Sequence, residues 1–229
     1  MLQGCGFSGA KVNPPKFVYR KGAAVGEAPE SLFVTPLLFR KLPLATPDFL
    51  AQVKAYVLEL EKRDRGLQAS NCGGWHSSED LFETSCESMQ QLRDALLALA
   101  AEMSYFQVRD TYPDCMVEPV LFGGAWANVS RDGDYNKPHI HPGVVWSGVF
   151  YVDLGGCCAA EPRDNGNIEF LDPRGGNLHG AKRVIRPEAG FALIFPSWLC
   201  HYVNPFRGDG ARISIAFNTK AKVSPIACR

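Results

Sequence analysis

The chain has 229 residues, 46% of them hydrophobic and 21% charged, and its 24 basic side chains are balanced by 24 acidic ones. This length and composition are typical of a globular protein with one large domain. The charge balance gives no electrostatic footprint for nucleic acid or an anionic membrane, and no apolar run is long enough to span a bilayer. Composition leaves the oligomeric state open.

The N-terminal sequence MLQGCGFSGAKV lacks the apolar segment of a secretory signal. We therefore expect a cytoplasmic protein whose eight cysteines are free thiols. Residues 1–30 are rich in Gly, Pro, Ala and Lys without periodicity, which predicts a loosely ordered leader. Residues 31–229 are expected to form a single domain that opens with a strand, 31–42, broken by Pro36.

Two amphipathic helices are predicted in the first half of this domain. Thr46 and Pro47 form a typical helix start, and apolar residues then recur at helical spacing until Gly66. After a predicted loop over 71–81, a second helix with one apolar stripe is expected at about 87–104. Both stripes are expected to face a core.

From about residue 116 the sequence consists of short apolar or alternating runs separated by Gly, Pro, Asn and Asp. Seven or eight such runs in about a hundred residues predict an antiparallel sandwich or barrel. We expect a mainly β fold with flanking helices: a cupin-like jelly roll, or double-stranded β-helix, over about 116–219. The helical segment, about 46–104, would buttress one face of it.

Three histidines are candidates for a metal site. His139 and His141 stand two residues apart in KPHIHPG, and residues two apart on a strand point to the same face. His201 follows the strand GFALIFP, and a jelly roll brings strands that are distant in sequence side by side. Neutral imidazole suits iron, copper and zinc. The three rings would cover one side of an ion and leave the other side open.

A candidate anion-binding pair follows in the strand ARISIAFN. Arg212 and Ser214 share one face of this strand, while Ile213 and Ile215 lie on the other. If the apolar face packs against the helices, a guanidinium and a hydroxyl point into the barrel. A buried arginine is costly unless it is paired, and a carboxylate on a bound ligand is its natural partner.

The ordered blocks WANVSRDGDYNKPHIHPG, SGVFYV, GNIEFLDPR, FPSWLCHYVNP and RISIAFN resemble the 2-oxoglutarate- and Fe(II)-dependent oxygenases. Within that superfamily they resemble a subgroup from marine bacteria and phages. The similarity extends from about residue 120 to 219 and is thinner upstream. It implies a dioxygenase, by default a hydroxylase, that takes Fe(II), 2-oxoglutarate and molecular oxygen and releases succinate and CO₂. A small molecule or a peptide would be the substrate.

The resemblance also implies roles for individual residues. His139 and His201 match two metal ligands, and Arg212 with Ser214 matches the pair that holds the far carboxylate of 2-oxoglutarate. His141 stands where most of the superfamily has Asp or Glu, so either it is the third ligand or it only lines the site. Three further residues are hypotheses: Asn128 for the cosubstrate, and Trp126 and Trp198 for the substrate pocket.

Two other functions remain open. Three histidines without a carboxylate are also typical of a cupin-type dioxygenase that does not use 2-oxoglutarate, and a jelly roll can be a non-catalytic ligand-binding module. Among residues outside the site, His76 and His179 are expected to be solvent-exposed. Glu169 is expected at the strand surface or behind the ligands rather than on the metal.

Overall fold

The computed structural model describes residues 34–109, 115–156, 165–174 and 182–225. The predicted leader, 1–30, and the prediction for His179 lie outside these residues. From Thr35 onward the described chain belongs to one compact unit. Neither helix in the described ranges is both long and apolar enough to cross a membrane.

The described chain contains two helices and eleven strands. In chain order they are β1 Leu38–Lys41, α1 Pro47–Arg63, β2 Asn71–Cys72, β3 Trp75–His76, α2 Glu87–Val108, β4 Cys115–Ser130, β5 Tyr135–His139, β6 Trp146–Leu154, β7 Ile168–Leu171, β8 Lys182–Ile185, β9 Phe191–Pro196, β10 His201–Val203 and β11 Arg212–Pro225.

The strands form two antiparallel sheets. The larger has the order β1-β9-β6-β11-β4-β3 and the smaller the order β2-β5-β10-β7-β8. Consecutive strands therefore alternate between the sheets along much of the chain, as in a jelly roll. The predicted mainly β fold with two flanking helices is confirmed.

Both helices pack on the outer face of the larger sheet. The side chain of Thr46 caps α1 by accepting a hydrogen bond from the Phe49 N–H at 3.2 Å. α2 continues four residues beyond the predicted end, to Val108. The core between helices and sheet contains the apolar stripes of both helices and the outward-facing residues of β6 and β11, among them Phe150, Ile213, Ile215 and Phe217. The alternate residues of β6 and β11 therefore face the inside of the jelly roll.

The prediction of a loop over 71–81 is wrong in part, because residues 71–72 and 75–76 form two short strands. β2 pairs with β5 in the smaller sheet, whereas β3 pairs with β4 in the larger one. The turn between them uses Gly73 and Gly74 at φ +70° and +66°. A Cβ added at Gly73 would collide with Oδ1 of Asp134, so this turn has no room for a side chain.

Candidate metal centre

The smaller sheet and the loop after β5 bring the three predicted histidines together. His139 is the last residue of β5 and His201 the first of β10, and these two residues face each other across the antiparallel pair. Their ring centroids are 4.3 Å apart, and the His141 ring lies 5.0 Å from His139 and 5.2 Å from His201. One ring nitrogen from each residue lies within 4.8 Å of the others. This spacing is compatible with a single ion among the three rings.

His141 reaches the cluster from beyond the end of β5. Its backbone N–H donates to the Ser197 carbonyl at 2.9 Å. The Ser197 N–H in turn donates to the carbonyl of Val145, which lies just after His141 in the chain, at 3.1 Å. The loop after β5 is thereby fastened to the turn that precedes His201. These hydrogen bonds between two loops, rather than continuous strand alternation, position the third imidazole.

Backbone carbonyls fix the tautomer of two of the rings. Nδ1 of His139 lies 2.7 Å from Lys137 O, and Nδ1 of His201 lies 2.9 Å from Leu199 O. Because a carbonyl can only accept, both Nδ1 atoms carry the proton, and both Nε2 lone pairs are available to a metal. A hydrogen bond of this kind from the second nitrogen is the usual support of a metal-binding histidine.

Burial keeps the three rings neutral. Together with the smaller effect of repulsion from the nearby His139 ring, it lowers the pKa of His201 to about 3 and that of His141 to about 4. Burial also lowers the pKa of His139. Since metal binding requires the unprotonated imidazole, the cluster is in its ligating form at neutral pH.

No carboxylate joins the cluster within the part of the chain that the structure describes. Glu169 has a different environment: its side chain is fully buried, and its carboxylate accepts from Tyr202 Oη at 2.5 Å, Asn204 Nδ2 at 2.7 Å and Lys182 Nζ at 2.6 Å. Burial acts to raise its pKa, but these donors outweigh it and hold the pKa below the ordinary value. Of the two places expected for Glu169, the strand surface is therefore wrong, and Glu169 is outside the histidine cluster as expected.

Arg212 and Ser214 face the same cavity as the histidines, as their alternation predicts. The Arg212 side chain is buried, with Nη2 donating to the Gly166 carbonyl at 3.3 Å. In the strand register, Ser214 lies between Asn128 on β4 and Tyr151 on β6. A guanidinium and several hydroxyl and amide groups thus share the inner wall of the larger sheet.

Tyr151 is a site residue that sequence reasoning missed. Its ring centroid lies 5.6 Å from the Arg212 guanidinium carbon, and its hydroxyl is buried without a hydrogen-bond partner among the described residues. Burial raises its pKa to about 12, against the opposing effect of the Arg212 charge, so the hydroxyl is protonated. The available signal was alternation in SGVFYV, which puts Tyr151 on the face opposite to the buried Phe150.

The cavity wall includes two of the three residues that were hypotheses. Trp126 and Asn128 line it, but Trp198 does not and is 50% exposed. The reason is the turn before β10, closed by a hydrogen bond from Leu199 N to Pro196 O at 3.0 Å, in which Leu199 packs into the core and Trp198 points outward. The prediction for Trp198 as a pocket wall is wrong.

His76, predicted to be exposed, is 4% exposed and lies behind the cavity. β3 pairs it with Asn128, and its ring stacks on Trp126 with centroids 5.4 Å apart and an interplanar angle of 12°. Trp126 in turn lies 5.8 Å from the His141 ring. The exposure prediction is wrong because the strand β3, which buries His76, was not recognised.

The residues present fit a divalent metal with an anionic ligand beside it. Three neutral imidazoles are a suitable donor set for iron, copper or zinc. In the same cavity, the buried guanidinium of Arg212 and the hydroxyl of Tyr151 are suited to a carboxylate, which offers several hydrogen-bond acceptor sites.

Sequence comparison gives one family match. Residues 124–218 match the model of a family described as "Putative 2OG-Fe(II) oxygenase". The matched region contains all three histidines of the cluster together with Arg212. A search of curated proteins gives no match.

Several solved structures have the same fold. The non-heme alpha ketoglutarate dependent epimerase SnoN from nogalamycin biosynthesis has a TM-score of 0.60 at 13% identity, covering 82% of this chain and 80% of its own. A prolyl hydroxylase from Trichoplax adhaerens, in complex with a hypoxia inducible factor peptide fragment, has a TM-score of 0.57 at 14% identity, covering 80% and 83%. A Pseudomonas putida prolyl-4-hydroxylase has a TM-score of 0.53 at 15% identity, covering 80% and 92%.

These comparisons agree with the geometry. At such low identity the solved structures establish the fold, which is the double-stranded β-helix, and the sequence match independently covers all three histidines. The resemblance noted in the sequence is confirmed: residues 124–218 match the model of a 2OG-Fe(II) oxygenase family, and the described chain shares its fold with the solved hydroxylases and the epimerase.

Proposed function

We propose that this protein is a non-haem Fe(II)- and 2-oxoglutarate-dependent dioxygenase that hydroxylates a small-molecule or peptide substrate. The single observation that carries the proposal is the arrangement of the cavity, in which three neutral imidazoles and one buried guanidinium line the same space. The first group suits a metal ion and the second suits the acid end of a cosubstrate.

His139 and His201 would hold the iron through Nε2, because their Nδ1 atoms already donate to backbone carbonyls. His141 would be the third ligand in place of the usual carboxylate. When bound, Fe(II) and 2-oxoglutarate supply the oxidising chemistry: O₂ delivers one oxygen atom to succinate, formed with loss of CO₂, and the other to a substrate C–H bond, which becomes C–OH.

Arg212 would hold the far carboxylate of 2-oxoglutarate, with Tyr151 and Ser214 as hydroxyl donors beside it. The burial of Arg212 makes such charge-assisted hydrogen bonds stronger than they would be in water. Asn128, next to Ser214 in the strand register, is a candidate for a further contact with the cosubstrate. Trp126 would close the cavity beside His141 and limit the access of water.

The absence of a carboxylate from the described cluster affects the charge at the site. Three neutral ligands leave the full double positive charge on Fe(II), whereas an Asp or Glu would remove one unit. We expect this charge to favour a dianionic cosubstrate, since one carboxylate would face the metal and the other would face Arg212.

Oxygen consumption and succinate release test the proposal. The purified protein is supplied with Fe(II) under air, with and without 2-oxoglutarate, and with His201→Ala as the control that removes a proposed ligand. We expect slow oxygen uptake and succinate formation only with both Fe(II) and 2-oxoglutarate, even without the natural substrate, and neither in the control. Equal oxygen uptake with and without 2-oxoglutarate would overturn the proposal.

The ligand set favours one second candidate. Three histidines without a carboxylate are typical of cupin-type dioxygenases that bind their substrate directly to the metal. For that function the buried Arg212 would bind an acidic group of the substrate instead of 2-oxoglutarate. Oxygen uptake that needs Fe(II) and a carboxylate or thiol substrate, but releases no succinate from added 2-oxoglutarate, would support this candidate.

A further inference from the structure

His141 differs from the other two histidines in the group that faces its Nδ1 atom. His139 and His201 have backbone carbonyls there, but His141 has the side-chain amide of Asn218, with Nδ2 at 3.5 Å. The other end of this amide, Oδ1, accepts a hydrogen bond from Ser147 Oγ at 2.8 Å. The third imidazole is thus the one whose support is a side chain.

Asn218 and Ser147 form a buried pair on adjacent strands. They are directly opposite each other in the register of β11 and β6, and they are 8% and 2% exposed. Both line the cavity that contains the histidines. The His141 ring also lies 5.8 Å from Trp126. Asn218 is therefore well placed to control the state of this ring.

An amide can support either tautomer of an imidazole, because it has a donor at one end and an acceptor at the other. With Nδ2 toward His141, Nδ1 accepts and the ring proton is on Nε2, which then cannot ligate. With the amide turned, Oδ1 accepts from Nδ1–H and Nε2 is free. Ser147 is compatible with both orientations, since a hydroxyl can donate to Oδ1 or accept from Nδ2.

We propose that Asn218, supported by Ser147, is a positioning residue that sets the tautomer of His141 and thereby its entry into the coordination shell. The inference rests on the proposed function, in that the histidine cluster binds a divalent metal. His139 and His201 are fixed as ligands by the backbone, whereas His141 becomes a ligand when the amide presents its oxygen. His141, which stands in the place of the usual carboxylate, is then the one histidine of the three whose tautomer can change.

The test is Co(II) binding to the full chain, measured by anaerobic calorimetric titration. Asn218→Leu keeps the approximate shape but removes the acceptor, and Asn218→Asp supplies a group that accepts in every orientation. Loss of a supporting hydrogen bond behind a metal ligand typically reduces metal affinity by about 10- to 100-fold. We expect a loss of that size for Asn218→Leu and a gain in affinity for Asn218→Asp.

The matched control is the same pair of substitutions in a His141→Ala background. If Asn218 acts through His141, Asn218→Leu leaves the remaining Co(II) affinity unchanged there, and Asn218→Asp, whose charge attracts the ion in either background, raises it by less than in the wild-type background. If Asn218→Leu does not fold, as judged by circular dichroism, Asn218→Asp in the two backgrounds makes the same comparison.

Wild-type affinity in both variants, or equal changes in the presence and absence of His141, would overturn the inference while leaving the proposed metal site intact. Failure of the wild-type chain to bind Co(II) would instead overturn the proposed function, and this inference with it.

Discussion

Arg212 and Tyr151 show how single residues indicate a binding site inside a packed fold. A guanidinium that is 3% exposed loses most of its hydration, and a buried hydroxyl without a partner costs free energy that an apolar ring would not. Both lie on the wall of one cavity. Their burial is explained if a carboxylate binds between them.

Replacement of Arg212 by Leu tests this explanation at the cosubstrate. Hydrogen bonds to charged groups contribute about 1.5–3 kcal/mol each, so we expect the KM for 2-oxoglutarate to rise by roughly 10- to 100-fold or more. Metal affinity should be unchanged, because Arg212 is not a proposed metal ligand. Arg63→Leu, which removes an exposed partner of Glu59 on α1, is the matched control. An unchanged KM for 2-oxoglutarate in Arg212→Leu would contradict the assigned role.

Tyr151→Phe removes only the hydroxyl and should have opposite effects on binding and stability. A neutral hydrogen bond contributes about 0.5–1.5 kcal/mol, so the affinity for 2-oxoglutarate is expected to fall by roughly 2- to 10-fold. The ligand-free protein should be as stable as wild type or more so, because a buried hydroxyl without a partner in the described chain is removed. Urea unfolding measures the stability, and calorimetric titration with 2-oxoglutarate measures the affinity. Lower stability with unchanged affinity would indicate a purely structural Tyr151.

The pH dependence of stability tests the burial of His76. Burial lowers its pKa below the ordinary 6.5, so below that pH the unfolded chain binds a proton that the folded chain does not. Its contribution to stability is therefore present above pH 6.5 and is lost as the pH falls. In urea titrations of the metal-free protein between pH 7 and 5, His76→Phe should lose less stability than wild type. Equal losses in the two proteins would contradict the buried, neutral His76.

At the scale of elements, the segment that contains β2 and β3 connects the two sheets beside the site. β3 supplies His76, which stacks on Trp126, and β2 lies next to the strand that ends at His139. The turn between β2 and β3 has Gly73 at a positive φ, and a Cβ at this position would collide with the Asp134 carboxylate. Asp134 cannot easily move away, because its carboxylate accepts from the Arg131 backbone N–H at 2.7 Å.

Gly73→Ala should therefore reduce the free energy of unfolding by more than a glycine-to-alanine substitution at a positive-φ position normally does. Gly143 is the matched control, since it has φ +84° and no atom lies within 4 Å of the position that a Cβ would take there. Gly143→Ala is expected to cost about 1–2 kcal/mol in free energy of unfolding, from the backbone conformation alone. Gly73→Ala adds a collision with Asp134 and should cost more. Equal losses in denaturant unfolding would show that the contact with Asp134 does not constrain the turn.

At the scale of the whole molecule, long periodic patterns were predictable and short or non-local features were not. Helix periodicity identified α1 and α2, and alternation in ARISIAFN gave the inward face of Arg212. β2 and β3 have two residues each, which is too short for a periodic signal, so the burial of His76 was missed. The outward direction of Trp198 depends on a turn. The residues that lie beside Tyr151 depend on the strand register. Sequence periodicity determines neither of these.

A crystal structure of the protein grown with Mn(II), as an oxygen-stable substitute for Fe(II), and N-oxalylglycine tests the central claim most directly. The predicted result is one ion bound by Nε2 of His139 and His201 together with a nitrogen of His141, and an inhibitor whose far carboxylate contacts Arg212. An ion bound away from these three rings, or a carboxylate that does not contact Arg212, would contradict the account.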